Sequence, residues 1–535
     1  MKFLPIPQIA KRIGIRKEEL ELFGDYKAKV SLSILDRLRD RPVGKYVLIT
    51  CMTPTPLGEG KTVTTIGLSL GLNRLGYKTI CTLRQPSLGP LFGVKGGATG
   101  GGLSQVLPSD EINLHLTGDF HAIGLAHNLL AAYLDHAIYR VNRLGIDRSS
   151  LDLRRVMDMN DRSLRHIRLS PSGKLDDGSD YESGFDITAA SEVMAIVALA
   201  RSIPDLRERL GNIVVAYTRN KEPVTAEELQ IAGAMAAILR DAIKPNILQT
   251  SEKTACFMHT GPFGNISHGT SSILADKIAL RLADYVVTEA GFGADLGGEK
   301  FFDIKCRMAG FKPNAAVLVC SVRGLKYHGE GDLVKGSANL VKQIANIQRF
   351  GVPVVVGINH FQGDTFNELN QVQGIALAKG ASGVALNSAY LKGGEGAEAL
   401  ANEVTRVASQ QNDFHFLYHL DDPLEKKVQK VAIQLYGANE IQWSPLAQER
   451  IVFYRKLGFG ALPICMAKTH LSLSHDPKLK GAPSDYSLPI RDIRLAAGAG
   501  YLFPMCGSIL TMPGLSDEPR GKEIDLDPTG KVIGI

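Results

Sequence analysis

YVLITCMTPTPLGEGKTVTTIGLSLGLNRL, residues 46–75, holds a strand, a turn and a helix start in one run. Tyr46 to Met52 is an apolar run of the length expected for a buried strand. The turn that follows is rich in Pro, Thr and Gly and closes on Gly58-Glu59-Gly60-Lys61-Thr62. From Val63 on, Ile66, Leu68, Leu70, Leu72 and Leu75 suit a largely buried helix. Such a unit cradles phosphate. Backbone N–H groups and the positive end of the helix dipole face the anion, and small residues let it come close. Lys61 would reach the outer phosphates and the Thr62 hydroxyl would ligate Mg²⁺. Thr55 stands where G-x-x-x-x-G-K-[ST] has its first glycine, so an ordinary strand-to-helix turn competes. Gly-Lys-Thr directly after an apolar strand favours the nucleotide phosphate site.

Length and composition set the class. A chain of 535 residues has room for about two to four domains. Apolar residues make up 44% and charged residues 22%, the balance of a globular protein. The net charge of +6 suits anionic substrates, and no basic run of the kind that tracks a nucleic-acid backbone is present. No window approaches the roughly 18 to 20 apolar residues of a membrane span, and the N-terminus lacks a signal-peptide core. The seven cysteines are scattered without C-x-x-C pairs, which favours reduced thiols and a cytoplasmic enzyme.

Outward from the phosphate loop, residues 8–41 read as helical, leading to the first strand. Lys78–Leu83 is a second strand, with Arg84-Gln85-Pro86-Ser87-Leu88-Gly89-Pro90 at its C-terminal end, where open α/β sheets place ligands. Arg84 there suits a carboxylate or phosphate, with a structural salt bridge as the alternative. Lys95–Gly102 is a second glycine-rich loop made for close approach. The acids and histidines of 110–121 match no metal-ligand spacing. A long helix is expected over 122–144, a polar loop over 170–184, and a helix over 187–200. Thr225-Ala226-Glu227-Glu228 reads as a capping box; the strand-like NIVVAYT and PNILQT around it suggest a βαβ insertion. Tyr285–Thr288 is a strand running into Glu289-Ala290-Gly291-Phe292-Gly293-Ala294-Asp295, whose carboxylates suit Mg²⁺ or simply a solvated turn. AAVLVCSVR and GVPVVVGINHF are two further buried strands. The second ends in Asn359-His360-Phe361, where nucleotide-binding α/β folds read the base.

This alternation predicts an α/β fold with a mostly parallel sheet of the phosphate-loop type and smaller α/β units beside it. The expected division is a discontinuous nucleotide-binding domain (1–145 and 260–365), an inserted domain (146–259) and a C-terminal domain (366–535).

TPTPLGEGKT (53–62), RQPSLGPLFGVKGGATGGG (84–102), INLHLTGDFHAI (112–123), GFDITAASE (184–192), HTGPFGNISHG (259–269), ADYVVTEAGFGADLGGEKFFDIKCR (283–307) and LAAGAGYLFPMCGSILTMPGL (495–515) together resemble the formate–tetrahydrofolate ligases over nearly the whole chain. The resemblance implies ATP-dependent conversion of formate and tetrahydrofolate to 10-formyltetrahydrofolate, ADP and phosphate through formyl phosphate. It assigns the transferring phosphate to Lys61 and formate, then formyl phosphate, to Arg84. Thr55, Pro56, Leu57, Gly58, Glu59, Gly60 and Thr62 would line the nucleotide site, with Thr62 on the metal of Mg-ATP. Phe292 and Asn359 join that set, and Phe361 and Tyr390 would stack on substrate rings. Tyr390 replaces a Trp usual in the family, Gln85 a Glu, and Leu57 and Val63 smaller or polar residues. A homotetramer and activation by a monovalent cation such as K⁺ are implied by resemblance alone. Another ATP-dependent carboxylate ligase and a nucleotide-switch ATPase are the rival functions.

Overall fold

The computed structural model describes residues 3–93, 97–174, 178–507 and 509–534; Lys95 and Gly96 of the second glycine loop lie outside them. The sheet begins with β1 (Leu20–Leu22), β2 (Ala28–Val30) and β3 (Lys45–Cys51). Helix α1 (Lys61–Arg74) leads to β4 (Thr79–Leu83), and β5 (Asn246–Thr250) and β6 (Ala255–Met258) join from much later in the chain. Then come α2 (Ile273–Leu282), β7 (Tyr285–Glu289), β8 (Ala315–Cys320), α3 (Val322–His328), α4 (Leu333–Gln348), β9 (Val354–Asn359) and β10 (Gly383–Asn387).

The strands lie in the order β1-β2-β5-β6-β4-β7-β3-β8-β9-β10. From β6 to β10 every pairing is parallel. β1, β2 and β5 form an antiparallel margin. Period-two alternation sends Val47 and Ile49 to one face and Leu48 to the other, and both faces are dry. Leu68 and Leu72 of α1 cover the first face. α1 is itself enclosed: a Cβ on Gly67 would come within 2.3 Å of the Ala389 methyl, so only glycine lets segment 389–397 close over it. A separate core joins Ile123, Leu130 and Leu134 to Val193, Leu210, Met235, Ala499 and Tyr501.

The α/β class and parallel sheet are as expected. Three local readings change. Residues 8–41 are not one helical stretch, because β1 and β2 pair there and only Ile6–Ile13 and Ile34–Arg37 are α-helical. The expected βαβ unit does not form. Val214–Tyr217 pairs antiparallel with Pro223–Thr225, while Asn246–Thr250 leaves to join the main sheet. Thr225 and Glu228 do exchange the capping-box bonds, but the helix begins only at Ala232. Residues 246–258 and 383–387, expected in the inserted and C-terminal units, thus pair with strands of the main sheet.

Beneath the C-terminal strand ends lies a buried lattice of charge. Lys305 pairs with Asp276, which also accepts the Tyr46 hydroxyl. Asp295 pairs with Lys468 at 2.8 Å and accepts from Gln343 at 2.6 Å. Asp295, offered as a possible Mg²⁺ ligand, is therefore spent on structure.

Candidate active site

The phosphate loop is held from its outer side by the elements after β8. Gly58 and Gly60 adopt left-handed φ of 76° and 72°, and a Cβ on Gly60 would sit 2.8 Å from the Asn359 amide nitrogen. The Glu59 carboxylate is buried and accepts from Thr55 N–H (3.1 Å) and the Ser321 hydroxyl (2.7 Å). Its backbone carbonyl accepts from Asn359 Nδ2 at 2.7 Å. His328 Nε2 donates to the Thr53 carbonyl at 2.8 Å. Glu59 and Thr55 therefore shape the loop, while Pro56 and Leu57 stand exposed on it.

Lys61, Thr62, Arg84 and Phe292 converge where β3, β4 and β7 end. Lys61 Nζ lies 3.2 Å from the Cys51 sulfur, and that thiol donates to the Phe292 carbonyl at 3.2 Å. Burial pushes the Cys51 thiol up to about 11 despite the neighbouring ammonium. Thr62 Oγ1 donates to Glu289 Oε2 at 2.8 Å. Among the described residues Arg84 reaches only the Pro262 carbonyl, at a long 3.5 Å, and its buried Nε has no acceptor there. Desolvation lowers its pKa, against a smaller opposing pull from Glu289. Its guanidinium rests on Gly291, where a Cβ would crowd it at 3.3 Å. His268, fully buried nearby, is held well below the usual histidine range by burial and by Lys305, Arg84 and Lys300.

The expected ring-binding residues have separate partners. Phe361 lies under the guanidinium of Arg323, 3.9 Å from its centroid. Tyr390 is 56% exposed. It packs on the second glycine loop: its ring is 3.1 Å from where a Cβ of Gly101 would lie, and its carbonyl accepts from Leu103 N–H at 2.9 Å. Phe292 stacks on His470 at 4.4 Å with an interplanar angle of 22°.

Cys51, Arg323 and His470 were not foreseen. Arg323 follows the end of β8, so the rule that singled out Arg84 also reaches it. His470 lies in an irregular segment with no periodicity to mark it.

Among the described residues no three His, Cys, Asp or Glu are grouped to hold a metal, and no helix is long and apolar enough to cross a membrane. Thr62 and Glu289 nevertheless bring two oxygen donors side by side at a helix N-terminus. That donor set fits Mg²⁺ completing its shell from water and phosphate. A cavity of about 740 Å³ opens elsewhere, between Ser149–Arg154, Glu192, Tyr217, Arg450 and Arg494. It includes none of the site residues above, and the phosphate loop with its under-bonded arginine is the better candidate for chemistry.

The family model described as formate–tetrahydrofolate ligase matches residues 1–535. Relatives bearing that name include one from Desulforamulus reducens, 50% identical, covering 100% of this chain and 97% of its own. The one from Herpetosiphon aurantiacus is 50% identical over 99% and 97%, and that from Saccharopolyspora erythraea 49% over 99% and 97%. With these matches running end to end through the phosphate loop and Arg84, the chain belongs to the formate–tetrahydrofolate ligase family.

Proposed function

We propose that this chain ligates formate to tetrahydrofolate at the expense of ATP, through formyl phosphate, at the site between Lys61 and Arg84. The carrying observation is Arg84: a desolvated guanidinium with an unfilled Nε and one long contact. A partly buried cation in that condition favours a small planar anion that takes two parallel N–H bonds.

Formate is a poor electrophile because its charge is spread over the oxygens a nucleophile must displace. One formate oxygen bonds to the γ-phosphorus of ATP as the bond to ADP breaks. N10 of tetrahydrofolate then attacks the formyl carbon, phosphate leaves, and N10 loses its proton. Arg84 orients formate and then the acyl phosphate. Lys61 moves from the Cys51 sulfur to the transferring phosphoryl group, whose negative charge it offsets. Backbone N–H groups of Glu59 to Thr62 would face the phosphates, while that of Gly58 closes the turn on the Thr55 carbonyl. Thr62 and Glu289 would hold Mg²⁺, which when bound neutralises phosphate charge.

The same reading keeps Asn359 near the base, Phe292 in the nucleotide site, and Phe361 and Tyr390 near substrate rings. It also keeps the three-unit division, with 246–258 and 383–387 counted with the nucleotide-binding unit. A homotetramer, a cytoplasmic location and an activating monovalent cation belong to it without an assigned place. The test is a product assay with ATP, formate and tetrahydrofolate, read as 5,10-methenyltetrahydrofolate after acidification. ADP release with acetate or carbonate equal to that with formate would favour another carboxylate ligase. Release that needs no carboxylate would favour a nucleotide switch.

A further inference from the structure

We propose that Arg323 is a positioning residue that fixes the Phe361 ring for a planar substrate and couples it to the phosphate loop. The proposal rests on the reading of Phe361 as a stacking residue. Arg323 is the second residue of α3, just beyond the C-terminal end of β8. Its guanidinium carbon lies 3.9 Å from the Phe361 centroid, inside the range of a cation–π contact. Its Nη2 donates to the Gly58 carbonyl at 3.0 Å. One side chain therefore touches both the phosphate loop and the ring at the end of β9.

Holding the loop does not require it. Ser321 and His328 already grip the loop through buried bonds. Gly324 lets that grip close, since a Cβ there would come 2.6 Å from the Glu59 carboxylate. Arg323 is the exposed member of this clamp, where a cation–π contact adds little to folding. It covers one face of Phe361, so a substrate ring takes the opposite face in a three-layer stack. Four of its five N–H donors remain beyond the Gly58 bond, beside the phosphate entrance.

ATP and tetrahydrofolate both carry a flat heteroaromatic ring, and the experiment tells them apart. KM for each and kcat are measured for the intact protein and for Arg323→Ala, Arg323→Lys, Phe361→Ala and the double alanine variant. In Arg323→Ala, one KM should rise about two- to fivefold, the factor an exposed cation–π contact carries. It should be the same KM that Phe361→Ala raises, with kcat nearly unchanged. The double variant should be no worse than Phe361→Ala, and Arg323→Lys, which lacks the plane, should resemble Arg323→Ala. Full additivity in the double variant, full rescue by Lys, a change in kcat alone, or no effect of Arg323→Ala where Phe361→Ala has one overturns the proposal. If Phe361→Ala moves neither KM, the stacking reading of Phe361 falls first and this inference with it.

Discussion

Lys61 Nζ rests 3.2 Å from Sγ of Cys51, the last residue of the strand that leads into the phosphate loop. Burial holds that thiol far above neutrality, to about 11, so the ammonium leans on an uncharged sulfur. Neutral sulfur is a weak acceptor, and a phosphate oxygen replaces it with a stronger charge-assisted bond. The lysine is positioned in advance and held loosely.

Lys61→Ala should therefore cut turnover by roughly 10² to 10³, the usual loss of one preorganised charge stabiliser. The melting temperature should hardly move, since the bond that Lys61 gives up is a weak one to a neutral sulfur. Steady-state rates beside a thermal melt check this, and near-normal turnover would remove the loop from the chemistry.

Arg84→Lys keeps a positive charge but loses the planar fork that meets a carboxylate with two bonds. The formate-dependent rate should collapse while ATP binding by calorimetry is nearly unchanged. An equal loss of ATP affinity would move Arg84 to the nucleotide.

Tyr390 is half open to solvent and rests on Gly101 and Gly102. Aromatic stacking contributes about 0.5 to 1.5 kcal/mol beyond area burial, so Tyr390→Ala should weaken one ring-bearing substrate by roughly tenfold. Tyr390→Trp should bind it equally or more tightly. Because the ring is not core, the alanine variant should melt near the parent temperature. Unchanged ATP and folate dissociation constants would take Tyr390 out of the site.

His259 is buried between Ser272 and the Ala242 carbonyl, and desolvation lowers its pKa to about 4. The folded state keeps it neutral where the unfolded chain, with an ordinary value near 6.5, takes a proton. Its contribution is thus complete above about pH 6.5 and lost as pH falls toward 4, up to roughly 3 kcal/mol. The melting-temperature gap between the parent and His259→Gln should narrow from pH 7 to pH 5. A constant gap would mean that the native imidazole already carries the proton.

The phosphate loop, the second strand and Arg84 were legible because each is local: an apolar run, a glycine turn, a cation at a strand end. Helix Asp119–Arg140 was legible for the same reason, by its period. The parting of Val214–Tyr217 from Asn246–Thr250 was not, because partner choice is tertiary and both runs look alike in isolation. β1 and β2 were hidden by helix-forming residues that sheet pairing overrides. Asp295 looked like a metal ligand until Lys468, distant in sequence, arrived as its cation.

That last pair bears on how the gene can be divided. A fragment ending before Lys468 would leave the Asp295 carboxylate sealed away from water without its counter-charge, a defect costing several kcal/mol. The phosphate-loop half should consequently fail to accumulate when made alone and recover when the distal segment is supplied in the same cell. The two halves are held by buried charge as well as by apolar contact, so each needs the other to fold.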